Sequence, residues 1–199
     1  HGGEVRFHSQ VTDIQTHSDN GQKILRKLKI YDSQKKETYL LDTDLAVFAI
    51  GHSARDTFSM LYHHGLPMQP KAFAVGVRIE HPQEMINQDQ YGKNYPSFLP
   101  AAPYKLTANL DNGRGVYTFC MCPGGYVVNA SSEEHRLAVN GMSYSRRDSQ
   151  NANTAVIVTV SPDDFGSDHP LAGVEFQRKL EEAAYLEGNG KVPVQLFGD

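Results

Sequence analysis

The run DLAVFAIGHS, residues 44–53, constrains this chain more than any other. Residues 45–50 are apolar without a break, the pattern of a strand buried on both faces. The run stops at Gly51, where a backbone can turn tightly and a neighbouring group can approach without meeting a Cβ. Asp44 precedes it, and the polar pair His52 and Ser53 follows. An ordinary strand end is the plainer reading, and a turn that borders a flat ligand is the more informative one.

The rest of the first 50 residues reads as further strand. Val5 and Phe7 alternate with Arg6 and His8, and the pattern continues into VTDI. The segment THSDNGQ holds an Asn-Gly turn signal, and ILRKLKIYD and ETYLLDTD follow. The basic run RKLK, residues 26–29, alternates so that Leu28 and Ile30 share one face while Lys27 and Lys29 share the other. It is therefore a solvated strand face. With a formal net charge of −4, nothing here has the basic field that nucleic-acid binding requires.

Ser53 and Asp56 stand three apart and predict a capped helix start. Ala54, Phe58 and Leu61 form its buried stripe, and Gly65 and Pro67 end it. From Lys71 onward the expectation is mostly antiparallel β. The predicted strands are AFAVGVRIEH, PYKLTANL, GVYTFCMC, GYVVNAS, LAVNGMSYS and TAVIVTVS, with turns at Asn112-Gly113 and Gly124-Gly125. Residues 87–103, with three prolines, read as a covering loop. A last helix spans 170–186, with Asp168 as its cap and Gly188 as its stop. The fold class expected is α+β, with two main helices.

No apolar run reaches the about 20 residues that cross a bilayer, so no membrane partner is expected. The chain starts without Met and in mid-pattern, which suggests an internal piece of a longer protein. Two cysteines in 199 residues give no disulfide scaffold and fit a reducing, cytoplasmic setting. No metal site is expected. The two cysteines are one residue apart, and the nine histidines show no i, i+4 ligand pair. No Gly-x-Ser-x-Gly nucleophile elbow occurs either.

Three runs carry candidate chemistry. In VYTFCMCPGGYVV, an extended strand would put Cys120 and Cys122 on one face and Met121 on the other. Gly124 and Gly125 then leave room for a ligand and offer backbone donors. The alternative is a buried strand and a turn, with cysteine as a small hydrophobe. In AFAVGVRIEHPQ, Arg78 and Glu80 share a face. Arg78 could hold a substrate carboxylate bidentately or pair with Glu80. In NGMSYSRRDSQNANTA, residues 140–155, turn formers surround Arg146, Arg147 and Asp148. That loop is either an anion binder or a solvated turn.

In order, AIGHSARDTF, KAFAVGVRIEHPQ, YKLT, VYTFCMCPGGYVVNASSE, NGMS with RRD, and NANTAVIVTV closely resemble a bacterial family of FAD-dependent proteins. Its members are usually labelled NAD/FAD-utilising dehydrogenases, within the flavoproteins that have two dinucleotide-binding domains. The resemblance implies that residues 1–52 are the terminal strands of an FAD-binding Rossmann-like domain. It implies an inserted substrate-side domain at 53–192 and a return to the FAD domain at 193–199. It also implies that Val11, Gly51, His52 and Ser53 lie at the FAD, and that Gly124 and Gly125, with Cys120 and Cys122, face the isoalloxazine and substrate.

Arg78 would then anchor a small, acidic substrate, and NAD(P)H could serve as electron donor. The Gly-x-Gly-x-x-Gly fingerprint that receives the pyrophosphate is absent, so little or no FAD binding is expected of this piece alone. Two other functions compete. One is flavin-coupled thiol redox through Cys120 and Cys122, with the Cys-x-Cys spacing against it. The other is a non-enzymatic binding module that uses apolar stretches such as YHHGLPM and NYPSFLPAAPY.

Overall fold

Asn20 and Gly21 turn the first hairpin. In the computed structural model, which describes residues 2–198, their φ angles are +48° and +80°. Two successive positive φ values make the hairpin turn whose twist matches the strands it joins. The turn links β1 (Ser9–Asp19) to β2 (Gln22–Asp32). A second turn leads to β3 (Glu37–Asp42), and the three strands form an antiparallel meander in the order β1-β2-β3. The Asp32 carboxylate accepts the N–H groups of Lys35 and Gln34, each at 2.9 Å. Those donors hold it below the usual carboxylate range.

Helix α1 (Arg55–His63) packs against β1. Ile14, Ile30 and Leu61 are the buried apolar side chains of this part. Gly65 ends the helix as expected. Its φ is +70°, its N–H reaches Tyr62 O, and Leu66 N–H reaches Leu61 O, which together close the helix end. Asp13 accepts a 2.6 Å hydrogen bond from His64 Nε2, which is the main cause of its lowered pKa. Lys23 Nζ donates to the His64 carbonyl.

Three local expectations fail here. The N-cap of α1 is Ala54, and no side chain caps it, so the Ser53–Asp56 capping box does not form. β1 begins at Ser9, after His8 at φ +56°, and Val5 and Phe7 are exposed. Residues 45–50 form no ladder among the described residues, and Leu45 and Val47 are 79% and 85% exposed. Apolar patterning reports what a segment can bury. A strand also needs a hydrogen-bonded neighbour beside it.

The described residues divide into two compact units, with the division between Gln69 and Pro70. The second unit contains β4 (Phe73–Pro82), α2 (Gln83–Tyr91), β5 (Thr107–Asn109), β6 (Gly115–Cys122), β7 (Gly125–Asn129), β8 (Val139–Ser143), β9 (Asn151–Val160), α3 (Pro162–Phe165) and α4 (Ala172–Glu187). Four strands make an antiparallel sheet in the order β4-β9-β6-β5, and β7 pairs antiparallel with β8. Gly76 allows the close approach of β4 to β9, since a Cβ there would overlap the Val156 carbonyl.

α4 matches the predicted last helix and stops at Gly188. Its N-cap is Leu171 rather than Asp168. It is tied down by Arg178, whose Nη2 and Nε donate to Glu133 at 2.8 and 3.1 Å. Phe73, Phe165 and Phe176 cluster at its start, with ring centroids 5.1 to 6.2 Å apart. α2 was not expected, because its sequence QEMINQDQY has little apolar face and lies against Pro82. It falls partly in the stretch read as loop.

The architecture is α+β with mostly antiparallel sheets. No parallel strand pair occurs among the described residues, so the Rossmann-like strands are not seen. No helix among them is long and apolar enough to cross a membrane.

Candidate functional site

Strands β4, β9 and β6, adjacent in the four-stranded sheet, bring the candidate chemistry to one sheet face. Residues two apart on a strand share a face, and so do partners across a ladder. Arg78 is paired with Ala155 and Glu80 with Asn153. β6 runs on the other side of β9, where Phe119 is paired with Ala155 and Cys122 with Asn153. Cys120 and Met121 therefore share the space opposite Thr154, a β-bulge, with Cys120 at φ +47°.

The bulge corrects one expectation. Cys122 shares its face with Phe119, and the simple alternation that linked it to Cys120 is broken by the extra residue. Cys120 is exposed and Cys122 half-buried, and both are free thiols. The Cys122 thiol donates to the Cys120 carbonyl at 3.3 Å.

Arg78 is half-buried. Its Nη1 donates to Asn153 Oδ1, to the Cys120 carbonyl at 3.3 Å and toward Cys122 Sγ at 3.9 Å. Its Nη2 donates to Asn140 Oδ1 at 3.2 Å. The second Nη2 hydrogen and the Nε hydrogen have no acceptor among the described residues. The Arg78–Glu80 pair, one of the two readings the sequence left open, does not form. Glu80 instead accepts the Val127 N–H at 2.7 Å and Asn151 Nδ2 at 2.6 Å. Among the described residues, no carboxylate lies within ion-pair distance of Arg78, so its charge meets only neutral dipoles and a thiol. Asn153 is fully buried, and its Nδ2 has no hydrogen-bond partner.

Strand β8 covers this cluster. A Cβ on Gly141 would overlap Asn153 Oδ1 and Arg78 Nη1 and come within 2.9 Å of Cys122 Sγ. Asn140 and Gly141, read from sequence both as part of the strand LAVNGMSYS and as turn formers, are strand residues lying directly on the guanidinium. On the opposite sheet face His81 Nε2 and Tyr104 Oη are 2.7 Å apart, and burial pushes the Tyr104 phenol up.

Gly124 and Gly125 are buried, and the room they leave is taken by the chain itself. A Cβ on Gly124 (φ +54°) would overlap the Arg147 carbonyl, and one on Gly125 would overlap the Met142 carbonyl. The Gly124 N–H donates to Gln83 Oε1 at 2.8 Å. Ser143 Oγ donates to the Pro123 carbonyl at 2.7 Å. The turn is therefore a packed junction. Gln83 and Asn153 were both missed in the sequence, where a buried amide looks like any polar residue.

The other predicted residues lie in the first unit. Val11 is half-buried on β1, an edge strand of the meander. Gly51 has φ +73° and nothing within 4 Å of a would-be Cβ. His52 and Ser53 are exposed. Gln10 Nε2 reaches Asp56 Oδ2 at 3.4 Å, which draws the start of β1 toward the start of α1. Among the described residues no group of three or more His, Cys, Asp or Glu could hold a metal ion.

Residues 72–199 match the family described as FAD-dependent protein, C-terminal domain-like. A protein of Clostridium beijerinckii, described as uncharacterized, is 52% identical over 203 residues. The alignment covers 100% of this chain and 36% of that relative. The chain thus spans about a third of the length of the curated relative it matches. The matched region holds β4, the cysteine bulge, the glycine junction and α4, and by it the chain belongs to the FAD-dependent protein, C-terminal domain-like family.

Proposed function

We propose that this chain is the substrate-side part of a FAD-dependent oxidoreductase of the NAD/FAD-utilising dehydrogenase type. The observation that carries the reading is Arg78. A half-buried cation without a carboxylate is costly to keep, and this one is held in place by Asn153, Asn140 and the Cys120 carbonyl. Its two spare hydrogens suit an acidic small-molecule substrate. FAD, when bound in the whole protein, takes up the hydride or electrons, with NAD(P)H a candidate donor.

In the whole protein residues 1–52 would complete the FAD-binding domain, 53–192 would face the substrate and 193–199 would lead back. Fit with the cofactor is uneven. An unpaired strand edge at Val11 and open space at Gly51, beside His52 and Ser53, suit a flat ligand. Gly124 and Gly125 are filled by protein, so their role is to seat the loop that carries Cys120 and Cys122 rather than to touch the flavin.

The test is steady-state flavin reduction in the full-length protein by acidic donors. Arg78→Ala should raise KM about tenfold or more, the usual loss for a charge-assisted hydrogen bond. Unchanged kinetics in both Arg78→Ala and Cys120→Ser would remove these residues from the site. Two free thiols two residues apart, one of them exposed, leave a second reading, flavin-coupled thiol exchange. Titrated thiols that do not change on flavin reduction would retire it.

A further inference from the structure

Residues 144–150 cross the glycine junction, with the backbone of Arg147 packed where Gly124 lacks a side chain. Both ends of the loop are pinned. Arg147 N–H donates to Tyr144 O at 2.9 Å, and Gln150 O accepts the Gln83 N–H at 2.8 Å. The loop forms one wall of an open groove of about 360 Å³, and the start of α2 and residues 99–101 form the other.

The floor of this groove is hydrogen-bonded throughout. Gln83 is buried, and its Nε2 donates to Asn87 Oδ1 at 2.9 Å and to the Ala102 carbonyl at 3.0 Å. Asn87 in turn donates to Tyr95 Oη at 2.9 Å and accepts the Ala102 N–H at 2.9 Å. Glu84 at the mouth is also engaged. It accepts Tyr95 O–H at 2.6 Å and Gln88 Nε2 at 2.8 Å, and the Tyr95 bond is the first cause of its lowered pKa.

The unengaged groups are on the loop. Among the described residues no hydrogen bond or ion pair joins the side chains of Arg146, Arg147 or Asp148. Leu99, Pro100 and Ala101 add an apolar strip to the same groove. Two guanidinium groups, one unengaged carboxylate beside the engaged Glu84, and an apolar wall call for a ligand with a carboxylate, a cationic group and an apolar body. A volume at the low end of ligand pockets, about 300 Å³ upward, suits a small molecule.

We infer that this groove binds a free apolar amino acid or a similar small zwitterion. Arg146 and Arg147 take the carboxylate, Asp148 takes the ammonium and residues 99–101 take the side chain. The site is separate from the Arg78 cluster and does not depend on the flavin.

The experiment is a two-dimensional NMR titration of the 199-residue chain with L-leucine. Parallel arms use 4-methylpentanoate, which lacks the ammonium, and isoamylamine, which lacks the carboxylate. Saturable shifts of the Arg146 and Arg147 side-chain N–H groups and the Ser149 amide are expected at millimolar L-leucine, the ordinary scale for so small a ligand. Each analogue should bind about tenfold more weakly or worse.

Arg146→Gln and Asp148→Asn should each weaken L-leucine by a similar factor while the remaining spectrum stays in place. At Arg147, where φ is +53°, asparagine is the substitution that the backbone tolerates. No saturable shift at tens of millimolar, or equal binding of L-leucine and 4-methylpentanoate, would overturn the assignment.

Discussion

Residues 44–53 and residues 116–128 look alike in sequence. Each holds an apolar run that is broken off at glycine. In the first, Leu45 and Val47 are exposed and Gly51 has open space around it. In the second, the strand is paired on both sides and Gly124 is buried against the Arg147 backbone. Both glycines have positive φ, so both answer a demand for conformation. Only Gly124 also answers a demand for proximity. The difference comes from the segments that return to pack, β9 and the 144–150 loop, which lie far along the chain. A local motif therefore marks a place where the backbone bends, and distant sequence decides what fills it.

Substitutions can break this contrast. Gly124→Ala should have the largest effect, about 3 kcal/mol or more, because backbone strain and overlap with Arg147 add. Urea unfolding of the 199-residue chain measures it, and a cost near that of Gly51→Ala would refute the packed junction. Gly141→Ala comes next, at about 2 kcal/mol, since its Cβ would press on Asn153, Arg78 and Cys122. Gly51→Ala should cost about 1 kcal/mol, from strain alone.

Val47→Ser should stay within about 0.5 kcal/mol in this chain, as exposed positions do. In a longer protein that supplies 45–50 with a neighbouring strand, the same change should cost about 1.5 kcal/mol or more. The smallest expected effect is in acid. The Arg114 guanidinium, followed by the Ser161 N–H, lowers the Asp164 carboxyl to about 2. A depressed pKa stabilises fully above the ordinary value of about 3.9 and loses that contribution as pH falls through the folded value. The stability gap between the native chain and Asp164→Asn should therefore close between about pH 4 and pH 2.

Much of the framework was legible from the residues. The alternation in β4, β6 and β9, the Asn20-Gly21 turn and the Gly65 and Gly188 helix stops all depend on local periodicity or φ demands. α2 was not legible, because Gln83 and Asn87 anchor it through buried amide bonds rather than an apolar stripe. For the candidate site, Arg78 and the cysteines stood out, but their supports did not. Asn153 looks like a turn residue, and Asn140 and Gly141 read as strand or turn alike, until the ladders place them over the guanidinium. Burial of a polar side chain is a tertiary fact, and a single sequence carries no mark of it.

The extra residue in β6 has a consequence for length. Side chains on a strand change sides with every residue added or removed. Here the bulge absorbs the added residue, so shortening the stretch from Phe119 to Cys122 by one position would restore regular pairing, leave Cys122 opposite Asn153 on the face it already holds, and turn the Cys120 carbonyl into the ladder and away from Arg78. The spacing there is a stricter requirement than the identity of either thiol. A serine at position 120 or 122 should leave the arginine in place, and a one-residue deletion should not.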